Sequence, residues 1–339
     1  MRILVTGAFG WLGRRFIEIL VNGFEGEGPL RNWNIRCLAV KDNDISFINR
    51  LSYNRNIEVI YGDVRDINSL RSSVKDVDIV FHTAGVIHPK KIYQLYEVNT
   101  AGTENMIRAS QESKVKRFIY ISSNSVAGCN KCRDILLDEK MPPNPYLNYG
   151  LSKHKAECVV NHFYKSKKIE TVILRPCWFY GLNQPPRQST FFKMIKKGNP
   201  IIFGNGENLR SMSYLDNVCR GMLLAAENDK ANGQTYWIAD ARPYSCNEIY
   251  KTIADLLNVK DYKPRHLPGI FSEAFLCADI IMQNLGLYMK EVHVAGEMNK
   301  DIACSIDKAR QELGYNPKIE LAEGMRRSIH WCYKNGQKI

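Results

Sequence analysis

Short β-branched runs alternate with longer segments of helical period through the first half of the chain. Residues 2–6, 35–40, 57–61, 78–82, 117–122 and 171–175 read as strands, with helices between them. Such alternation leaves few folds open, because parallel strands need a crossover and the crossover helix must pack on a sheet face. The prediction is an α/β doubly wound parallel sheet, the Rossmann fold. Ile79-Val80-Phe81 and Phe118-Ile119-Tyr120-Ile121 are apolar throughout, as strands covered on both faces should be. Beyond Arg175 the pattern loosens: Pro and Gly cluster at 183–186 and 198–206, a helix starts near Tyr214, and a strand lies near 235–239. The expected domains are 1–176 with about 211–243 for the sheet, and 177–210 with about 244–339 for a smaller C-terminal, substrate-binding lobe. Segment 22–33 is longer than a helix-to-strand connection needs and reads as a surface insertion.

The first strand runs straight into Thr6-Gly7-Ala8-Phe9-Gly10-Trp11-Leu12-Gly13 and then a helix. Gly7 permits a tight turn, Gly10 lets backbone approach a pyrophosphate, and Gly13 lets helix pack on sheet. The N–H groups of Trp11, Leu12 and Gly13 at the helix start then receive phosphates. This points to a dinucleotide. Asp63 and Val64 follow the third strand, where a carboxylate can accept from an adenine amino group, and Ala84 and Gly85 follow the fourth, beside the nicotinamide half. At the end of the second strand no acidic residue awaits the adenosine ribose. Lys41 stands there instead, which leans towards NADP, while Asp42 keeps NAD open.

Tyr149 and Lys153 are four residues apart and share one face of a helix. About one such pair arises by chance, and Tyr164 with Lys168 is another. Position separates them, since Tyr149 follows the turn Pro142-Pro143-Asn144-Pro145 at the start of its helix and Tyr164 lies near the far end. A free phenol has a pKa of roughly 10 and needs a neighbouring cation to act as a base at neutral pH. Lys153 and an oxidised nicotinamide are expected to pull it down, with Ser123, at the end of the fifth strand, holding the substrate oxygen.

Together these residues resemble the extended short-chain dehydrogenase/reductase superfamily, the group of NAD-dependent epimerases and dehydratases. The motifs are Thr-Gly-x-x-Gly-x-x-Gly at 6–13, Gly-Asp-Val-Arg-Asp at 62–66, Asn-Thr-Ala-Gly-Thr at 99–103 and Ser-Ser-x-x-Val-x-Gly at 122–128. Tyr-x-x-x-Lys at 149–153, Arg-Pro-x-x-x-Tyr-Gly at 175–181 and Glu-Leu-Gly-Tyr-x-Pro at 312–317 complete them. The resemblance implies Ser123, Tyr149 and Lys153 as the catalytic set, Asn99 near the nicotinamide, Lys153 also on its ribose, and Pro176 closing over its ring. It further implies a homodimer paired through helices at about 100–113 and 149–166.

Substrate class divides the readings. The segment from Gly204 to Ser211 looks like the stretch in nucleotide-sugar enzymes whose arginine, here Arg210, binds the diphosphate. Trp178 replaces a common asparagine and offers stacking rather than sugar hydrogen bonds. The apolar segment 269–289 looks like the C-terminal lobe of the 3β-hydroxysteroid and ketoacyl reductase branch, and reads as a buried or substrate-covering helix rather than a membrane span. Asn124-Ser125 stands where sugar dehydratases carry Asp-Glu, which argues against 4,6-dehydration. The leading expectation is therefore an NAD(P)-dependent epimerase or oxidoreductase acting on a nucleotide sugar. A steroid-like or ketoacyl dehydrogenase is the alternative. A third reading, a non-catalytic RNA-binding Rossmann protein, comes from the net charge of +12; the intact catalytic set argues against it, so no nucleic-acid partner is expected. Ten scattered cysteines without a secretory leader suggest reduced thiols in the cytoplasm, and Cys129-x-x-Cys132 lacks the further ligands a metal would need.

Overall fold

A computed structural model of the chain describes residues 1–28, 30, 32–51 and 57–339, with Arg187 described in its backbone alone. In chain order the strands are β1 (Arg2–Thr6), β2 (Asn34–Ala39), β3 (Ile57–Tyr61), β4 (Ile79–His82), β5 (Arg117–Ile121), β6 (Glu170–Pro176), β7 (Trp178–Tyr180), β8 (Ile201–Phe203), β9 (Leu209–Arg210), β10 (Met212–Tyr214), β11 (Gln234–Ile238), β12 (Tyr244–Ser245) and β13 (Arg265–Leu267). The helices begin with α1 (Trp11–Asn22), α2 (Ser46–Leu51), α3 (Ile67–Arg71), α4 (Tyr93–Leu95), α5 (Gly102–Glu112), α6 (Leu147–Lys165) and α7 (Pro186–Lys196). They continue with α8 (Leu215–Glu227), α9 (Cys246–Leu256), α10 (Ile270–Asn284), α11 (Lys290–Glu297), α12 (Asp307–Leu313) and α13 (Leu321–Lys334).

The main sheet has seven strands in the order β11-β6-β5-β4-β1-β2-β3, with every neighbouring pair parallel. Strand order reverses between β1 and β4, and in open α/β sheets a ligand crevice lies beyond the carboxyl ends at such a point. The doubly wound prediction is met. One apolar layer joins α1 and α8 to the sheet through residues such as Phe16, Ile17, Val218 and Met222. The opposite layer uses Leu70, Met106, Ile107 and Val160 of α3, α5 and α6. A third cluster, including Tyr180, Phe192, Tyr214, Tyr250 and Met325, forms the core of the smaller lobe.

Four expectations change. The second strand ends at Ala39, because Asn43 closes a turn on Val40, its Oδ1 accepting the Val40 N–H at 2.9 Å. Segment 22–33 is no mere surface insertion: Phe24 and Trp33 are buried, and Glu27 accepts from Arg220 at 2.7 Å and Lys318 at 3.0 Å. Within 198–206, read as loop, β8 pairs with β13. Of the two readings of 269–289, a buried or a substrate-covering helix, the first fails, since most of its apolar side chains face outward.

Candidate active site

The first turn after β1 shows why glycine stands where it does. Gly7 has φ +65°, and a Cβ there would lie 2.7 Å from the Ala84 nitrogen; a Cβ on Gly13 would lie 2.2 Å from the Gly7 carbonyl oxygen. Only glycine lets α1 approach this closely. Gly10 caps α1 without a side chain, so the N–H groups of Trp11, Leu12 and Gly13 open the helix at the switch point. The Trp11 ring is committed elsewhere, its Nε1 donating to the Leu182 carbonyl at 2.6 Å. A cradle of bare backbone at a helix start fits a dinucleotide pyrophosphate.

Beneath the turn runs a buried relay. Thr103 Oγ1 donates to the Asn99 carbonyl at 2.7 Å, so it must accept from His82 Nε2, 3.0 Å away. His82 Nδ1 then accepts from Thr6 Oγ1 at 2.8 Å. The tautomer follows from the network. Burial first, and the Lys153 charge second, push His82 down to about 3, which keeps it neutral. Asn99, in a π-helical stretch Tyr96–Ala101, ties the loop after β4 to α6: its Oδ1 accepts from Val86 N–H at 2.8 Å and its Nδ2 donates to Ser152 at 3.0 Å. Ala84 and Gly85 belong to that loop, and Ala84 N–H donates to Thr6 at 3.3 Å.

The other expected cofactor residues lie at or just beyond strand ends. The Asp63 carboxylate is gripped by Arg65, at 2.6 Å from Nη2, which holds it below the usual carboxylate range. Val64 is buried against Gly102, and its carbonyl accepts from Asn105 at 2.9 Å. Lys41 is exposed in the turn after β2. Pro176 pairs with Ile238 at the carboxyl end of β6, beyond the last residue paired with β5, so its missing N–H breaks no bond on that side.

Tyr149, Lys153 and Ser123 converge at the ends of β5 and α6. The two serines divide: Ser122 donates to buried Glu157 at 2.5 Å, whereas Ser123 caps the short helix after β5 and hydrogen-bonds Tyr149. Lys153 Nζ donates to the Ile121 carbonyl at 2.7 Å and lies 4.3 Å from the centre of the Tyr120 ring. The expected lowering of the phenol is reversed here, because burial pushes Tyr149 up to about 12, against the Ser123 hydrogen bond. Burial likewise brings Lys153 down to about 7, with the Glu157 charge holding it up in part. Glu157 is in turn clasped by Arg175 at 2.9 and 2.6 Å, both side chains buried. Sequence reasoning missed this pair, although Glu157 follows Lys153 by one turn and Arg175 stands in a quoted motif.

On the lobe side, Arg210 is 6% exposed. Its Nη2 donates to the Glu297 carbonyl, and Nε has no protein partner. The charges of Arg210 and Glu297 both reach Tyr146, and that of Glu297 reaches Tyr149, so these groups share one neighbourhood. Trp178 is half-buried and packs against Phe191, ring centres 5.6 Å apart. Tyr164 lies at the far end of α6, away from this cluster, and Gly233 packs against its ring. Among the described residues no group of His, Cys, Asp and Glu could hold a metal ion.

The chain is 42% identical to an uncharacterized protein, y4nL, of Sinorhizobium fredii, over 99% of this chain and 96% of that one. It is 28% identical to the N-acetyl-α-D-glucosaminyl-diphospho-ditrans,octacis-undecaprenol 4-epimerase of Escherichia coli O157:H7, over 99% and 96%. Among solved structures it superposes with TM-score 0.76 on UDP-glucuronic acid 4-epimerase from Bacillus cereus, in complex with UDP-glucuronic acid and NAD, at 22% identity over 99% of this chain and 100% of that one. Residues 4–268 match the model of one family. The chain is an enzyme of the extended short-chain dehydrogenase/reductase type and belongs to the 3-beta hydroxysteroid dehydrogenase/isomerase family.

Proposed function

We propose that this protein is an NAD-dependent epimerase or oxidoreductase acting on a hydroxyl carbon of a sugar carried on a diphosphate. The observation that carries the substrate class is Arg210. A guanidinium nearly removed from water with an N–H left unpaired is costly, and a diphosphate supplies both the charge and the acceptor. The relative named for an undecaprenyl-diphosphate sugar and the neighbour solved with UDP-glucuronic acid support the diphosphate and leave open what it is joined to.

The cradle formed by Gly7, Gly10, Trp11, Leu12 and Gly13 would hold the pyrophosphate, with Asp63 and Val64 at the adenine end. Ala84, Gly85, Asn99, Lys153 and Pro176 would surround the nicotinamide end. We take NAD over NADP, although Lys41 stands exposed beside Asp42, because the solved neighbour holds NAD. When bound, the oxidised dinucleotide supplies a hydride acceptor and a positive charge. Ser123 holds the substrate hydroxyl against Tyr149, and Tyr149 takes the proton from that oxygen and returns it. Lys153 keeps positive potential under the phenol. Trp178 offers its half-buried face to the substrate on the lobe side. A homodimer through α5 and α6, in the cytoplasm, completes the reading.

The test is ligand binding to the full chain. UDP and an undecaprenyl-diphosphate analogue are titrated into the NAD-loaded protein and into Arg210→Met. One of them should raise Tm and bind at least tenfold more weakly to the variant, about 1.4 kcal/mol. If neither shifts Tm while NAD does, the diphosphate reading is wrong.

A further inference from the structure

Helix α10 is built inside out. The residues it turns inward are Ser272, Asp279 and Gln283, all polar. They are satisfied there: Ser272 donates to the Ala295 carbonyl at 2.8 Å, Gln283 Nε2 to Asp279 at 3.0 Å, and Asp279 lies 2.7 Å from His293 Nδ1 of α11. On the opposite side Ile270, Ile281 and Leu285 fall at helical period and are 69%, 61% and 71% exposed. Leu287 and Met289 carry the apolar surface across the loop to α11. A helix on the surface of a globular protein normally does the reverse, and burying each of these side chains is worth about 1.5–3 kcal/mol. A contiguous apolar face of this kind marks an interaction site.

The residues around the face say what covers it. Lys263 and Arg265 lead into α10, Lys290 opens α11, and exposed Lys90 and Lys91 sit on the loop after β4, which His88 joins to Tyr288 at 2.6 Å. These outnumber Asp261 and Glu291, and Glu273 is already neutralised by Lys300. Of the exposed side chains of α10 only Cys277 and Asn284 can hydrogen-bond, too few to set a register against a protein surface. A second copy would bring one basic rim against another on two chains that each carry +12. Among the described residues no helix is long and apolar enough to cross a membrane. An apolar stripe with a basic border is the pattern of a helix lying in a bilayer interface, its Ile and Leu in the acyl boundary and its lysines among headgroup phosphates.

We propose that the outer face of α10 and the start of α11 docks this protein on an anionic lipid bilayer. The inference stands whichever diphosphate the site takes.

Full-length protein is sedimented with vesicles of phosphatidylcholine alone and of phosphatidylcholine made anionic with phosphatidylglycerol, at low and high salt. Wild type should pellet with the anionic vesicles, less so as salt rises. The double variant Ile281→Glu/Leu285→Glu should partition at least tenfold less, and Lys263→Gln and Arg265→Gln about fivefold less each. Unchanged Tm of the variants shows that they fold, since all four positions are exposed. No pelleting with either vesicle, equal pelleting with both, or a double variant that pellets like wild type each overturns the proposal. So does sedimentation equilibrium showing a wild-type dimer that Ile281→Glu/Leu285→Glu splits, which would give the face to a second copy.

Discussion

A phenol pushed up to about 12 is scarcely ionised at neutral pH, and the Ser123 hydrogen bond offsets its burial only in part. Lys153 faces the Ile121 carbonyl and is itself brought down to about 7. With Lys153 only partly charged at neutral pH, the bound dinucleotide must supply the rest of the positive charge that would make Tyr149 a base, so oxidation should accelerate as pH rises through the titration of the loaded enzyme. Tyr149→Phe should lose about 10²–10⁴-fold in kcat and abolish the rising limb of the pH profile, with NAD affinity kept within a few fold. A Tyr149→Phe enzyme with the wild-type profile would remove Tyr149 from the chemistry. Tyr149, Lys153 and Ser123 were legible because their spacing and their strand and helix ends are local facts. The direction of the pKa shift was not, because burial depends on everything packed around the group.

At the scale of elements, α6 is fastened to β6 by Glu157 and Arg175, a pair whose members sit on different elements and so leave no periodic trace in the sequence. Glu157→Gln should leave the Arg175 charge unmatched inside the protein, at a cost of about 3–5 kcal/mol, read as a fall in Tm and in the denaturant midpoint. It should also drop the Lys153 titration further. The sheet itself was readable nearly residue by residue, since β4 and β5 are apolar on both faces. Helix α10 was not, because hydropathy reveals a stripe without saying which way it faces. The buried tie between α10 and α11 carries a pH signature. Burial lowers the His293 imidazole, but the Asp279 hydrogen bond and the Glu297 and Asp279 charges outweigh it, leaving the group raised above 6.5. With the folded value above the unfolded one, the pair is at full strength below about 6.5 and weakens as pH climbs through the folded value. Tryptic cleavage after Lys290 should quicken as pH rises in wild type, and Asp279→Asn should flatten that dependence.

Over the whole molecule the positive charge is not gathered at the crevice. Lys114, Lys116, Lys165, Lys167 and Lys168 line a groove with Tyr164 past the C-terminal ends of α5 and α6, at the amino ends of β5 and β6. There they oppose the negative ends of two helices, which accounts for part of the excess in physical terms. The cysteines are also sorted by depth. Cys132, Cys158 and Cys277 are exposed and Cys129 is half-buried, while burial raises Cys37 to about 12 and Cys332 to about 11. Because the thiolate is what reacts, a thiol reagent should label Cys132, Cys158 and Cys277 promptly in the native protein, Cys129 slowly, and all ten after denaturation. Rapid native labelling of Cys37 or Cys219 would contradict the packing of α1 and α8 on the sheet.

Residues 268–298 have the look of a cap that could be exchanged between relatives to change what the enzyme accepts. The cap is not separable. Asn148, next to Tyr149, donates both its backbone N–H and its side-chain Nδ2 to the side-chain Oε1 of Gln283, at 3.2 and 2.9 Å. A graft that carried a new cap without residues 146–148 would loosen the first turn of the helix bearing the phenol. Chimeras should therefore be cut so that both segments travel together.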